Sequence, residues 1–183
     1  KDSNRDCAED VKNEIIKLKE SGIKSLIFDL RGNGGGSLIA AIKIAGLFVD
    51  EGPMVQVKTS GQRVKSYNDR EKGSVWDGPL VIMVNEGTAS ASEIVAAALQ
   101  DYGRALVLGT SQTFGKGTVQ NILDFDRAAG PFNSSLRPLG ALKLTIQKYY
   151  RISGGTTQLE GVQSDIVLPH PYENFSFGER EME

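Results

Sequence analysis

Apolar residues recur along the chain in two rhythms, one helical and one strand-like, and together they lay out an alternating order of elements. Ala8, Val11, Ile15 and Leu18 fall three or four residues apart, which predicts an amphipathic helix stopped by Gly22. Residues 24–30 (KSLIFDL) predict a buried strand, followed by the low-bulk loop Arg31-Gly32-Asn33-Gly34-Gly35-Gly36. Residues 38–49 are apolar almost all round, the pattern of a buried helix. Residues 54–58 and 63–67 flank Ser60-Gly61 and predict a short hairpin. After a polar loop over 68–78, residues 79–84 (PLVIMV) predict another buried strand, and the alanine-rich run 89–102 predicts a helix ending at Gly103. Residues 105–108 and 119–125 read as strands, and 127–140 as an irregular excursion. Leu142, Leu144 and Ile146 alternate with Lys143, Thr145 and Gln147, which predicts a half-buried strand. Residues 166–168 close the core and leave 169–183 as a polar tail. Strands alternating with helices argue for an α/β domain over residues 1–168.

Composition narrows the picture by exclusion. With 183 residues, 39% hydrophobic and 24% charged, the chain can bury a proper core and reads as soluble and folded. A net charge of −2 carries no basic excess, so nucleic acid is not an expected partner. No apolar run approaches the roughly 18 to 20 residues that span a bilayer, and the first six residues are too polar for a signal peptide. Cys7 and His170 are each alone, so neither an internal disulfide nor a four-ligand structural zinc site can be assembled. No metal or cofactor is expected. His170, between Pro169 and Pro171, reads as a surface residue. Hydrolytic chemistry here would therefore draw its base from Lys, Asp or Glu.

Three glycine-containing stretches are candidates for chemistry. Residues 32–36 follow a strand and precede a helix, where phosphate loops sit, but Ser37 stands where the dinucleotide fingerprint needs its third glycine. The run 109–118 misses the P-loop pattern in both spacing and the residue after Lys116. Gly87-Thr88-Ala89-Ser90-Ala91-Ser92-Glu93 lies where a strand turns into a helix. A serine there sits in the positive end of the helix dipole, which favours an alkoxide, although Ser90-x-x-Glu93 is equally a capping-box pattern. In Thr113-Phe114-Gly115-Lys116-Gly117-Thr118-Val119-Gln120, the glycines allow close packing and Phe114 and Val119 are placed to strip water from the lysine. Bringing a lysine from about 10.4 to near 7 or 8 takes roughly 4 kcal/mol of differential destabilisation.

The ordered set DLRGNGGG (29–36), GTASASEI (87–94), AALQDYGRALVLG (97–109) and TFGKGTVQ (113–120) resembles the C-terminal-processing proteases, most closely the tail-specific branch. The likeness extends through LTIQKYYR (144–151) and GVQSDIVLP (161–169). It implies a crotonase-like α/β core, Ser90 as nucleophile, Lys116 as general base and Gln120 orienting that lysine. It also implies an oxyanion hole from the backbone N–H of Ala91 and of Gly35 or Gly36. A protein or peptide substrate, an upstream PDZ domain, possible oligomerisation and a periplasmic or envelope location follow from the same resemblance. A non-catalytic peptide-binding relative and a coenzyme A thioester enzyme are the alternatives the fold leaves open. Asp101, eleven residues past Ser90, would lie about 16 Å along a helix from it, which suits a structural role paired with Arg104. Lys116 and Gln120 would be about 13 Å apart on an extended chain, so a bond between them needs a bend that Gly117 permits.

Overall fold

The computed structural model of the protein describes residues 6–130, 137–171 and 177–182. The first helix, α1 (Cys7–Glu20), starts at Asp6, whose carboxylate accepts the Ala8 N–H, and turns Ala8 and Ile15 inward. Four short strands, β1 (Leu26–Asp29), β4 (Leu80–Val84), β5 (Leu106–Gly109) and β8 (Ile166–Val167), form a parallel sheet in the order β1-β4-β5-β8. Between β1 and β4 come α2 (Leu38–Gly46) and the strands β2 (Pro53–Thr59) and β3 (Lys65–Asn68). The expected hairpin of β2 and β3 is present, antiparallel and with one register irregularity.

α3 (Ala91–Asp101) joins β4 to β5, the right place for a crossover between parallel neighbours. Its sequence explains its depth: small alanines at 96, 97 and 98 leave it buried on nearly every side. The principal core gathers Leu30, Ile42, Ile44, Ala45, Phe48, Ile82, Val84, Ile94, Leu99 and Val107 around α2 and α3. A second sheet, ordered β3-β2-β7-β6, holds β6 (Thr118–Asp124) and β7 (Ala141–Tyr150), with the one-turn α4 (Phe125–Ala128) after β6. The mixed α/β architecture is the one expected.

One expectation about the second sheet is corrected, and one about the C-terminal segment. Leu142, Leu144 and Ile146 are 43%, 43% and 42% exposed, so alternation did not mark a buried face here. The β6–β7 ribbon runs beyond the sheet's packed part, and its residues 141–146 meet no covering layer among the described residues. The buried residue of β7 is Tyr149, 2% exposed, close to where the ribbon rejoins the core. Of the 127–140 excursion, residues 131–136 lie outside the described residues. The segment expected to be a polar tail also has a docked portion: Phe177 packs edge-on against Phe114, ring centroids 5.7 Å apart, and the Glu179 N–H donates to the Phe114 carbonyl at 2.8 Å.

Candidate active site

Ser90 occupies the turn between β4 and α3 with φ 58° and ψ −118°. A non-glycine residue in that region is strained by about 1 to 3 kcal/mol and persists only where neighbours hold it. Several neighbours do so. The Ala89 N–H donates to the Asn33 carbonyl at 3.0 Å, and the buried Thr88 hydroxyl donates to the Leu30 carbonyl at 2.8 Å. The Ser90 N–H donates to Glu93 Oε2 at 2.7 Å, while the Glu93 N–H turns back to the Ser90 carbonyl at 2.9 Å. The strained turn was not legible in the sequence, which lacks the flanking glycines that usually advertise a nucleophile elbow.

The lysine segment is attached to this turn by four hydrogen bonds. The Phe114 N–H donates to the Thr88 carbonyl at 3.0 Å. The Thr113 hydroxyl and the Gly115 N–H reach Glu93 Oε1 at 2.6 and 2.8 Å, and the Lys116 N–H reaches Glu93 Oε2 at 3.0 Å. Glu93 is fully buried and receives four donors from two separate segments. Burial pushes its carboxyl above the ordinary value, opposed by the bonds from Thr113, Gly115, Ser90 and Lys116. Sequence reading saw Glu93 only as a helix cap.

The Lys116 ammonium donates to Gln120 Oε1 at 3.0 Å, so the expected pairing is made. Lys116 lies two residues before β6, and the β6–β7 register shifts between Val119 and Gln120, which supplies the bend. Gly117 is tightly enclosed there. Its N–H donates to Gln158 Oε1 at 2.8 Å, its carbonyl accepts the Tyr149 N–H, and a Cβ would fall 2.7 Å from the Gln158 nitrogen. Of the two apolar residues expected beside the lysine, Val119 lines its cavity, whereas Phe114 turns its ring to Phe177.

The glycine loop closes the third side. Gly35 has φ +89°, and a Cβ on it would stand 2.6 Å from the Ala89 carbonyl and 2.7 Å from the Ala91 nitrogen. Only glycine fits that approach. Its own N–H is taken by Asn33 Oδ1 at 3.0 Å. At Gly36 a Cβ would meet nothing within 4 Å. Ser90, Ala91, Lys116, Gln120, Gly35 and Gly36 line one cavity of about 340 Å³, with Tyr149, Ile122 and Lys143 among its other walls. All six predicted site residues are thus brought together.

Asp101 is structural as expected, but its partner is corrected. It pairs with Arg151 at 2.6 Å and accepts from Ser153, which ties the end of α3 to the chain just past β7. Arg104 instead donates to the carbonyls of Phe48, Trp76 and Gly78, three loop oxygens that only a forked guanidinium can collect at once. His170 is half-buried and lies 3.3 Å from Glu86, away from the cavity. Among the described residues no cluster of His, Cys, Asp or Glu is arranged to hold a metal.

The α/β core thus places a strained serine, a lysine and a glycine loop around one cavity. Residues 2–168 match the model of peptidase family S41, and the chain belongs to that family. It is 45% identical over 177 residues to a tail-specific protease of Haemophilus influenzae, covering 93% of this chain and 24% of that protein. It is 37% identical to a carboxy-terminal-processing protease of Bartonella bacilliformis, covering 94% of this chain and 38% of the relative. Among solved structures, the photosystem II D1 C-terminal processing protease superposes with a TM-score of 0.75 at 31% identity, over 90% of this chain and 40% of that one. The chain therefore spans between a quarter and two fifths of the length of these relatives.

Proposed function

We propose that this chain is the catalytic core of a serine endopeptidase that cleaves proteins near their C-termini, with Ser90 as nucleophile and Lys116 as general base. The observation that carries the reading is the shared cavity: a serine held in a strained turn at a helix N-terminus faces the same space as a lysine whose amine is steered by Gln120. In the proposed reaction neutral Lys116 takes the Ser90 proton, and the alkoxide adds to a peptide carbonyl. The oxyanion settles against the N–H of Ala91, which as the first residue of α3 has no intrahelical acceptor. Because the Gly35 N–H is engaged by Asn33, Gly36 is the second donor and Gly35 the residue that lets the loop come close. The lysine then protonates the leaving amine, and water, deprotonated by the same lysine, releases the acyl group.

β6 is an edge strand, and its residues Thr118, Val119, Gln120 and Ile122 line the cavity. Substrate is proposed to lie along it as an added strand. A neighbouring apolar cavity of about 210 Å³, walled by Phe28, Ala41, Ile44 and Val95 and sharing Gly35 and Gly36, offers room for a nonpolar substrate side chain. An upstream PDZ domain, oligomerisation and an envelope location belong to the same proposal. They rest on the family and on the extra length of its members. No helix among the described residues is long and apolar enough to cross a membrane.

The test is cleavage of an internally quenched peptide with a nonpolar C-terminal sequence by the wild type, Ser90→Ala and Lys116→Ala. Loss of cleavage in both variants, with unchanged folding, is expected. Cleavage that survives Ser90→Ala overturns the reading, and peptide binding without turnover by the wild type favours a non-catalytic relative.

A further inference from the structure

Ser90 and Lys116 belong to separate stretches of chain, and the catalytic reading depends on their mutual position. Glu93 links the two through their N–H groups on one side. The other side is held through their carbonyl groups. The Tyr149 hydroxyl lies 3.1 Å from the Ser90 carbonyl oxygen and also donates to the Lys116 carbonyl oxygen. The Tyr149 backbone N–H donates to the Gly117 carbonyl at 3.0 Å, so one residue grips the lysine segment twice. Its ring is 2% exposed and forms part of the cavity wall.

We propose that Tyr149 is a positioning residue for the serine–lysine pair, its hydroxyl setting the separation of the two segments by sharing its one proton between the two carbonyls; this rests on the catalytic reading above. A phenol is rigid, so its length fixes the distance from β7 to each carbonyl. Two further contacts hold the chain around it. Arg151, two residues on, is anchored by Asp101 and Gln100, and the buried Thr157 hydroxyl lies 3.4 Å from the same Lys116 carbonyl. Burial first, then the charge of Glu93, push the phenol above its ordinary value, so it remains a donor over the working range. Tyr149 touches no reacting atom and acts through Ser90 and Lys116. A misplacement of about 1 Å is enough to cost on the order of 100-fold in rate.

The experiment compares wild type, Ser90→Ala, Tyr149→Phe and Thr157→Val on the quenched peptide, with a thermal unfolding scan of each. The expected result for Tyr149→Phe is a drop in kcat of about tenfold or more with KM within about twofold, in a protein that still unfolds cooperatively. A merely structural role would lower the unfolding temperature and leave kcat per folded molecule intact, which overturns the proposal. Should Tyr149→Phe fail to fold, Thr157→Val decides: a several-fold loss of kcat at constant KM supports positioning through the Lys116 carbonyl, and full activity overturns it. The catalytic reading fails separately, if the wild type does not cleave or Ser90→Ala still does, and the positioning role falls with it.

Discussion

The backbone N–H of Lys116 donates to Glu93 Oε2 at 3.0 Å, and the same oxygen accepts the N–H of Ser90. One buried carboxylate thus fixes the two ends of the serine–lysine arrangement, and it can do so only as a pure acceptor. Glu93→Gln puts an amide NH2 where one oxygen takes two donors, and two buried N–H or O–H groups lose their acceptor. The expected cost is about 2 to 4 kcal/mol of stability. Chemical denaturation of the variant checks it.

The same carboxylate carries a pH signature. Burial raises its pKa above the ordinary glutamate value of 4.5 in the folded state, so the unfolded chain loses that proton first as pH rises. The stability contributed by protonated Glu93 is full below that ordinary value and is lost as pH rises through the raised one. Asp6, Asp29 and Glu71, whose pKa values are lowered by Lys43, Arg31 and Lys12 respectively, contribute with the opposite sign. Subtracting the stability–pH curve of Glu93→Gln from that of the wild type isolates Glu93, and the difference should fall with rising pH across that window.

Gly35 and Gly36 should respond differently to the same change. Gly35→Ala drives a Cβ into the Ala89 carbonyl at positive φ, and a loss of about 2 kcal/mol or more together with most activity is expected. Gly36→Ala meets open space and should fold like the wild type. Unfolding temperatures of the two variants, measured side by side, separate the neighbour that packs from the neighbour that faces the cavity.

Asp101→Ala leaves Arg151 without its partner at a half-buried site, where the paired side chains are 11% and 17% exposed. A destabilisation of about 2 to 4 kcal/mol is expected. Because the pair anchors the chain just beyond Tyr149, kcat should also fall, whereas Arg104→Lys should lower stability through its three carbonyls with a smaller effect on kcat.

Much of this arrangement was legible before the structure. Period and turn residues located α1, the strand 79–84 and the helix after Ser90, because each is a local apolar pattern bounded by polar or turn residues. The six residues that line the cavity could be picked out only as a linked set of motifs. A lone serine near a helix start is as readily a cap, and a lone lysine in a loop is usually solvated. What escaped was non-local. Tyr149 sits in a strand whose alternation pointed to Leu142, Leu144 and Ile146, yet burial followed the place where β7 rejoins the core. Glu93 matched a helix-cap pattern three residues from Ser90, and its bonds to Gly115 and Lys116 span more than twenty residues of chain. Asp101 was assigned the arginine nearest in sequence, and the fold supplied one fifty residues away.

The most direct measurement is mass spectrometry of the protein quenched during turnover of the peptide. An adduct with the mass of the N-terminal cleavage fragment, localised to Ser90 and absent from Lys116→Ala, is the predicted result. An adduct on any other side chain, or turnover at the wild-type rate without Lys116, would contradict it.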